Sequence, residues 1–356
     1  MAKQKKSHLG LKIFLSFFLV MIIAVVIGVY YVWSNLQPAA KSSPVTFEIL
    51  SGTGSIGVAD ILEQKGIIRN KELFTFYLRY KNEGTRFQAG NYEMSPGITL
   101  DEIIAKLNHG EIVKEEMVRF TIPEGFTLKQ IIARLDEEGI ASADELLHLT
   151  EEPDKLELSL PVDALPTDPK LEFQMEGYLF PETYEMKKGS TSKEIVQRMA
   201  NEMMFKLESV TGWQDMLKKR GLTLHELMTV ASLVEREAAV DKERSLIAGV
   251  IYNRLENDMR LEIDATVQYA LGENKERLYE KDLQIDSPYN TYKNDGLPPG
   301  PIGSPGLDSI KAALKPVKTE YLFYVTKKDG SREHLFAKTY AEHLKNIDES
   351  KKTVSE

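Results

Sequence analysis

The strongest pattern along the chain is an uninterrupted apolar run near the N-terminus. Residues 13–33 carry no charged side chain, and only Ser16, Gly28 and two tyrosines dilute the run. About 21 residues at 1.5 Å each match the ~30 Å hydrocarbon core of a bilayer. The pattern therefore predicts a single transmembrane helix over residues 13–33, after a tail of residues 1–12.

The charges that flank this run predict its orientation. Four lysines and no acid lie within residues 1–12, and no Lys or Arg follows until Lys41. Because positive charge stays on the cytoplasmic side, we expect a cytoplasmic N-terminus and an extracytoplasmic C-terminal part in the cell membrane. A cleaved signal peptide is the alternative, but this run is longer than the usual ~7–15 apolar residues of such peptides.

After a linker over residues 34–44, the periodicity predicts a small α+β module over residues 45–115. Its strand at residues 45–49, glycine turn and helix recur about 73 residues later in the chain. Three Gly-x-Thr sequences each place a threonine where it can cap an amphipathic helix, and they begin at Gly97, Gly125 and Gly189.

Residues 116–349 are predicted to form a second, mixed α+β domain, followed by a charged, frayed tail over residues 350–356. Thr223 and Glu226 form a capping-box pattern ahead of a helix that extends to Ala239. Asp241 can cap the next helix. Two apolar strands around residues 329–330 predict a hairpin. The fold class is therefore α+β, with one N-terminal transmembrane helix.

Composition removes several functional classes. The 356 residues carry 45 bases against 54 acids, a net charge of -9, which disfavours nucleic acid as a partner. The absence of cysteine excludes disulfides and thiol catalysis. Six scattered histidines give no metal-ligand spacing, so neither a metal nor a cofactor is expected. The glycines of residues 52–57 match a dinucleotide fingerprint formally, but we interpret them as a turn.

One carboxylate lies within an apolar helical stripe and is the predicted catalytic group. On a helix beginning at Leu224, Glu235 falls between Leu224 and Met228 on the face that the apolar residues share. Desolvation there would raise the pKa of the carboxyl group towards neutrality, as a general acid requires. The alternative is a structural ion pair of Glu235 with an arginine such as Arg254 or Arg260.

Polar and aromatic side chains that follow this helix in the chain are the predicted substrate-binding residues. They supply the hydroxyl, amide, carboxylate and aromatic groups that carbohydrate sites use. The candidates are Asn253, Asp264, Thr266, Tyr269, Ser287, Tyr289, Asn290 and Thr291.

Taken together, six motifs resemble the endolytic murein transglycosylases, also called YceG-like proteins. The resemblance covers nearly the whole chain after the membrane helix, with the motifs in the expected order. They are EGYLFPETY at 176–184, ASLVERE at 231–237, YNRL at 252–255, MRLEIDATV at 259–267, SPYNTY at 287–292 and GLPPGPI at 296–302.

This resemblance implies a single-pass enzyme that cuts nascent peptidoglycan glycan strands outside the membrane without a cofactor. It implies a LysM-like module next to the membrane, partnership with peptidoglycan polymerases, and a catalytic glutamate at Glu235. Such an enzyme leaves 1,6-anhydro ends. Two alternatives stay open: a hydrolase of the same bond with Asp264 or Glu237 as a second carboxylate, and a non-catalytic wall-binding scaffold.

Overall fold

The computed structural model describes residues 9–112, 116–161, 164–273, 275 and 277–352. The chain divides into two compact units, residues 1–115 and 116–356. Most of the predicted cytoplasmic tail, residues 1–8, and the end of the predicted frayed tail, residues 353–356, lie outside the described residues.

The apolar run forms one long helix, α1 (Leu9–Leu36). Within the described residues it is the one helix that is long and apolar enough to cross a membrane, over Lys12–Leu36. The helix extends into the predicted linker, where Leu36 packs against the core of the following module. The Arg69 guanidinium also donates hydrogen bonds to the carbonyls of Ser34 (3.2 Å) and Pro38 (2.8 Å). Residues 34–38, at the start of the predicted linker, are therefore held against the module.

The first unit then forms a β-α-α-β-α module. Its elements are β1 (Val45–Ile49), α2 (Ser55–Gln64), α3 (Lys71–Lys81), β2 (Gly90–Met94) and α4 (Leu100–His109). The two strands are antiparallel, and Phe47 lies opposite Tyr92 in the centre of the buried face. Thr99 caps α4 through a capping box, as predicted.

The second unit begins with the same order of elements. These are β3 (Met117–Thr121), α5 (Leu128–Glu137), α6 (Ala143–Glu151), β4 (Thr183–Lys187) and α7 (Ser192–Glu208). Strands β3 and β4 are antiparallel, with Phe120 opposite Tyr184. Thr127 and Thr191 are the two remaining predicted caps, and both form capping boxes. The sequence repeat is therefore a repeated supersecondary unit.

The remainder of the second unit surrounds a large apolar core. Its elements are α8 (Trp213–Arg220), α9 (Leu224–Glu237), α10 (Arg244–Glu256), α11 (Asp264–Leu271), α12 (Leu307–Leu314), β5 (Phe323–Thr326), β6 (His334–Ala337) and α13 (Tyr340–Lys352). The buried face of α9, with Leu227, Val230 and Val234, lies in the centre of this core. Strands β5 and β6 form the predicted antiparallel hairpin.

Three predicted boundaries are wrong. Helix α9 ends at Glu237 rather than Ala239. Asp241 opens a short 3-10 turn, and α10 begins only at Arg244. The predicted frayed tail is helical as far as Lys352, because the Ser350 hydroxyl is buried and donates a hydrogen bond to the Thr326 carbonyl (2.7 Å).

Candidate active site

The last turn of α9 carries two carboxylates that lie in different surroundings. The helix starts at the Thr223 capping box, which fixes its first turn, and its apolar stripe is buried along its length. Glu235 and Glu237 are two residues apart, so their side chains leave the helix about 200° from each other. One helix end therefore supplies acids to two separate sites.

Glu235 forms a buried ion pair. Its Oε1 accepts a hydrogen bond from Arg244 Nη1 at 3.0 Å, and the side chains of Glu235 and Arg244 are 7% and 12% exposed. Its Oε2 accepts a hydrogen bond from the Gly306 N–H at 2.9 Å. The ion pair considered as the alternative is thus present, although its partner is Arg244 rather than Arg254 or Arg260. The catalytic role of Glu235 stays a prediction.

The surroundings of this ion pair are closely packed. Arg244 Nη1 also donates to the Ser309 hydroxyl at 2.6 Å. A Cβ atom at Gly306 would meet Glu124 Oε1 at 1.9 Å, so the Glu124 side chain would have to move if Gly306 were replaced. Burial, and then the charge of Glu235, raise the pKa of Glu124 above its ordinary value. The arrangement ties α9, α10 and α12 together.

Glu237 has a different environment. Its Oε2 accepts a hydrogen bond from the Tyr324 hydroxyl at 2.8 Å. Burial raises the pKa of Glu237 above its ordinary value, the nearby charge of Asp264 raises it further, and the Tyr324 hydrogen bond and His334 oppose that rise. This is the environment that the sequence analysis expected for Glu235.

Glu237 lines a polar cleft of about 550 Å³, which we call the Glu237 cleft. This volume is in the range of ordinary ligand sites. The cleft is formed by α9, α10, α11, the β5–β6 hairpin and α13. Its lining residues are Arg236, Glu237, Val250, Ile251, Arg254, Leu261, Glu262, Ile263, Asp264, Tyr292, Tyr324, Val325, Thr326, His334 and His343.

Hydrogen bonds fix several polar groups of the cleft. The exposed Asp264 carboxylate, in the first turn of α11, accepts a hydrogen bond from the Tyr292 hydroxyl at 2.6 Å. Arg254 Nε donates to the Leu322 carbonyl at 2.7 Å, and its Nη1 pairs with Glu262 at 3.2 Å. The cleft therefore presents one carboxyl group with a raised pKa beside ordered carboxylate, phenol and guanidinium groups.

A buried carboxylate–imidazole pair lies at the hairpin end of the cleft. His334 Nδ1 is 2.8 Å from Glu243 Oε2, and the side chains are 5% and 7% exposed. The Glu243 carboxylate also accepts the His334 backbone N–H, at 3.1 and 3.2 Å. The Tyr324 ring meets the imidazole edge-on, with the centroids 5.3 Å apart. Glu243 thus holds both the backbone and the ring of His334.

Four predicted substrate-binding residues are buried, and their side chains contact other groups of the protein. Thr266 and Thr291 share a hydrogen bond of 2.9 Å, and Thr291 Oγ1 accepts the Ile263 N–H at 3.0 Å. Asn290 Nδ2 donates to two backbone carbonyls, and Tyr289 packs on Tyr269 with centroids 4.8 Å apart. These residues are at most 2% exposed and support the protein's own structure, and their predicted contact with sugar stays a prediction.

The other predicted binding residues are divided among three places. Asp264 lies in the Glu237 cleft. Asn253 donates hydrogen bonds to the carbonyls of Thr319 and Tyr321, at 2.8 and 2.9 Å, and Ser287 Oγ accepts the N–H of Tyr289. Both therefore fix backbone next to the cleft.

Tyr269 lines a separate small cavity, of about 80 Å³, that also touches Arg236. There its hydroxyl donates to the buried Glu176 carboxyl at 3.0 Å. Glu176 Oε1 accepts the N–H of Leu128 at the start of α5, and burial raises the pKa of Glu176 to about 8. Glu176 thus anchors a helix rather than facing the larger cleft.

Sequence reasoning named Glu237 only as a second carboxylate in the hydrolase alternative, and it missed the Glu243–His334 pair. The helical wheel identified Glu235 as the acid on the apolar face, but a carboxylate on a buried face can also belong to a structural ion pair. Tyr324 and His334 come from a hairpin nearly a hundred residues away, and no spacing rule links them to α9. No cluster of three His, Asp or Glu side chains suited to a metal ion occurs in the part of the chain that the structure describes.

Comparison with known proteins gives the family. The chain matches the YceG-like family over residues 47–349. It is 39% identical to the endolytic murein transglycosylase of Bacillus subtilis, over 88% of this chain and 87% of that protein. It is 34% identical to the protein of the same description in Streptococcus pneumoniae, over 90% of this chain but only 61% of that longer protein.

A solved structure agrees with this result. The YceG-like protein of Listeria monocytogenes superposes with a TM-score of 0.57 at 37% identity, covering 85% of this chain and 98% of that one. The family match spans the residues that form the Glu237 cleft. The chain therefore belongs to the YceG-like family.

Proposed function

We propose that this protein is a membrane-anchored endolytic peptidoglycan transglycosylase whose proton donor is Glu237. The observation that carries the assignment of the acid is a half-buried carboxyl group with a raised pKa, facing a cleft large enough for sugar residues. Family membership and relatives described as endolytic murein transglycosylases support the reaction.

The reaction needs one carboxyl group in two protonation states. Protonated Glu237 donates its proton to the glycosidic oxygen between N-acetylmuramic acid and N-acetylglucosamine, and the bond from that oxygen to C1 breaks. The resulting carboxylate then accepts the proton of the muramyl C6 hydroxyl, whose oxygen bonds to C1. The strand ends in a 1,6-anhydro sugar, Glu237 regains its proton, and no water is consumed.

The neighbours of Glu237 suit this cycle. Burial favours the acid before proton donation. The Tyr324 hydroxyl, 2.8 Å away, stabilises the carboxylate formed afterwards. The exposed carboxylate of Asp264 supplies negative charge to the positive sugar centre that develops as the bond breaks.

Two isosteric variants decide whether Glu237 or Glu235 is the proton donor. We expect Glu237→Gln to lose ~10²–10⁴-fold of strand cleavage, the usual contribution of general acid catalysis. Glu235→Gln keeps only one of the two acceptor oxygens that serve Arg244 and Gly306. Because Glu235 does not line the Glu237 cleft, the folded variant should keep activity within about tenfold.

Cleavage is measured with the full chain in detergent micelles and purified glycan strands, followed by chromatographic sizing of the products. The fluorescence of Trp213, in the core around α9, checks that both variants are folded. If Glu235→Gln lost far more activity than Glu237→Gln, the catalytic role would belong to Glu235.

Product analysis separates the reaction from its rivals. Mass spectrometry should detect anhydro ends, whereas hydrolysis would leave ends heavier by one water. Strands that bind without becoming shorter would support the scaffold alternative.

We infer the topology and partners from charge and family. The lysine-rich N-terminus places residues 34–356 outside the cytoplasmic membrane, where nascent glycan strands are found. Partnership with peptidoglycan polymerases fits an enzyme that cuts new strands at the membrane, and it stays a proposal.

We also propose that the membrane-proximal β-α-α-β module is LysM-like and contacts glycan. Two aromatic side chains on α3, Phe76 and Tyr80, are exposed by 66% and 78%, and they are spaced to share a helix face. Exposed aromatic rings of this kind can stack on sugars.

In the inactive Glu237→Gln background, replacing both aromatic residues by serine should weaken cosedimentation of the full chain with glycan strands by several-fold. The matched control is the replacement of Ile56, an exposed apolar residue on α2, by serine. Equal binding by the aromatic variant and this control would remove the glycan-contact role.

A further inference from the structure

A second, smaller cavity shares a wall with the Glu237 cleft. It has a volume of about 80 Å³, and Arg236 lines both spaces. At the start of α11, Asp264 lines the cleft, whereas Ala265 and Gln268 line the smaller space, which we call the Gln130 cavity. An enzyme that cuts inside a glycan strand holds sugar units on both sides of the bond. A strand in the cleft therefore has a neighbouring unit next to this cavity.

The Gln130 cavity has the size of a sugar substituent rather than of a sugar ring. A cavity of ~150 Å³ holds benzene, which has six heavy atoms. A volume of about 80 Å³ therefore suits roughly three or four heavy atoms. The acetamido group that both sugars of a peptidoglycan strand carry has four, namely a methyl carbon, a carbonyl carbon and oxygen, and a nitrogen.

Two glutamine amides that line the cavity are oriented by hydrogen bonds. Gln130 Oε1 accepts the Thr127 N–H at 2.9 Å, in the capping box of α5. Gln268 Nε2 donates to the Lys275 carbonyl at 3.1 Å. Because an N–H needs the oxygen of an amide and a carbonyl needs its nitrogen, these bonds fix both amides. Gln130 thus presents its Nε2 as a donor, and Gln268 presents its Oε1 as an acceptor.

These two groups complement an acetamido group. Its carbonyl oxygen accepts a hydrogen bond and its N–H donates one, so it needs one donor and one acceptor. Its methyl group needs apolar surroundings, and the side chains of Phe173, Ala265 and Ile302 line the same cavity. Size, hydrogen-bonding groups and apolar surface therefore all suit the same substituent.

The charges around the cavity also favour a neutral group. Lys129 pairs with Glu172 at 2.6 Å. Burial raises the pKa of Glu176 to about 8, so this carboxyl group is protonated at pH 7. In the described part of the chain, the other charged side chains that line the cavity are Arg236 and Glu273. Because the positive and negative charges balance, a neutral acetamido group fits better than a lactyl or peptide carboxylate.

We propose that the Gln130 cavity binds the N-acetyl group of a sugar unit next to the cleaved bond, with Gln130 donating to its carbonyl and Gln268 accepting its N–H. This inference rests on the proposed function and extends it to the residues that select N-acetylated strands. A sugar without the acetyl group carries an ammonium group instead, which neither fills the cavity nor accepts a hydrogen bond from Gln130.

The test compares cleavage of N-acetylated strands with cleavage of the same strands after chemical N-deacetylation, by the full chain in micelles. Gln130→Glu keeps an oxygen for the Thr127 N–H, and glutamate occupies the same capping-box position in α4 and α7. The variant loses the donor and places a negative charge in the cavity. Its ratio of kcat/KM for acetylated over deacetylated strands should therefore fall about tenfold below the wild-type ratio.

The matched control is Gln284→Glu, which adds the same charge at an exposed position that lines neither the cavity nor the cleft. This control should keep the wild-type ratio. A wild-type ratio in folded Gln130→Glu would overturn the proposal, and so would an equal fall in the control.

If Gln130→Glu does not fold, as judged by Trp213 fluorescence, Ala265→Val decides, because its two extra carbons occupy part of the cavity. A several-fold loss of activity on acetylated strands alone would support the proposal, whereas equal losses on both substrates would refute it. A wild-type protein that cleaves neither substrate would instead reject the proposed function, and this binding site with it.

Discussion

The two sides of the last turn of α9 show how similar acids acquire different roles. On one side Glu235 is held by Arg244 and the Gly306 N–H, and its side chain is 7% exposed. On the other side Glu237 accepts a hydrogen bond from the Tyr324 phenol and faces an open cleft. Both carboxyl groups are largely withdrawn from water, so burial alone does not distinguish them.

Their partners distinguish them. A buried carboxylate paired with arginine links helices, because removing either charge leaves the other uncompensated. A carboxyl group that meets a neutral hydroxyl and a cleft can exchange a proton with a ligand. The difference predicts that variants on the Glu235 side alter stability, whereas variants on the Glu237 side alter catalysis and its pH dependence.

The largest expected effect is on the Glu235 side. Arg244→Met leaves a buried carboxylate without its cation and should reduce the free energy of unfolding by about 3–5 kcal/mol. Urea unfolding followed by Trp213 fluorescence measures this loss, because Trp213 lies in the same core.

The double variant Arg244→Met, Glu235→Met supplies the control. It removes both charges while keeping apolar volume, so it should recover most of the stability. An Arg244→Met protein as stable as the wild type would show that the ion pair does not link these helices.

Local features of the fold could be predicted from the sequence because short-range chemistry determines them. The threonine caps at Thr99, Thr127 and Thr191 each need only a Glu or Gln three residues later, and all three form. The long N-terminal apolar helix and the final hairpin follow equally from local patterns. The ends of α9 and of the C-terminal helix depend on distant contacts, such as Ser350 with Thr326, and were misplaced.

The candidate site shows the same division between features that local sequence determines and features that distant contacts determine. Asp264 was predicted from its motif and does lie in the cleft. Thr266, Asn290 and Thr291 were predicted as sugar ligands because of their polar groups, yet these groups bond within the protein. Amphipathic periodicity assigned Glu235 to the buried face correctly. Periodicity does not tell, however, whether the carboxyl group on that face contacts Arg244 or an open cleft.

The smallest expected effects are opposite shifts in the pH profile on the Glu237 side. The Tyr324 hydrogen bond lowers the pKa of Glu237, so Tyr324→Phe should extend activity to higher pH. The Asp264 charge raises that pKa, so Asp264→Asn should move the loss of activity to lower pH, although Asn can still accept the Tyr292 hydrogen bond.

The sign follows from the chemistry, because the acid is present below the pKa of Glu237 and is lost above it. Steady-state cleavage rates on the alkaline side of the optimum should change by several-fold in opposite directions, well below the ~10²–10⁴-fold loss expected for Glu237→Gln. Arg260→Lys is a matched control, since the Arg260–Asp295 pair is exposed and Arg260 does not line the cleft. Shifts in the same direction for both variants would mean that another group, rather than Glu237, titrates on the alkaline side.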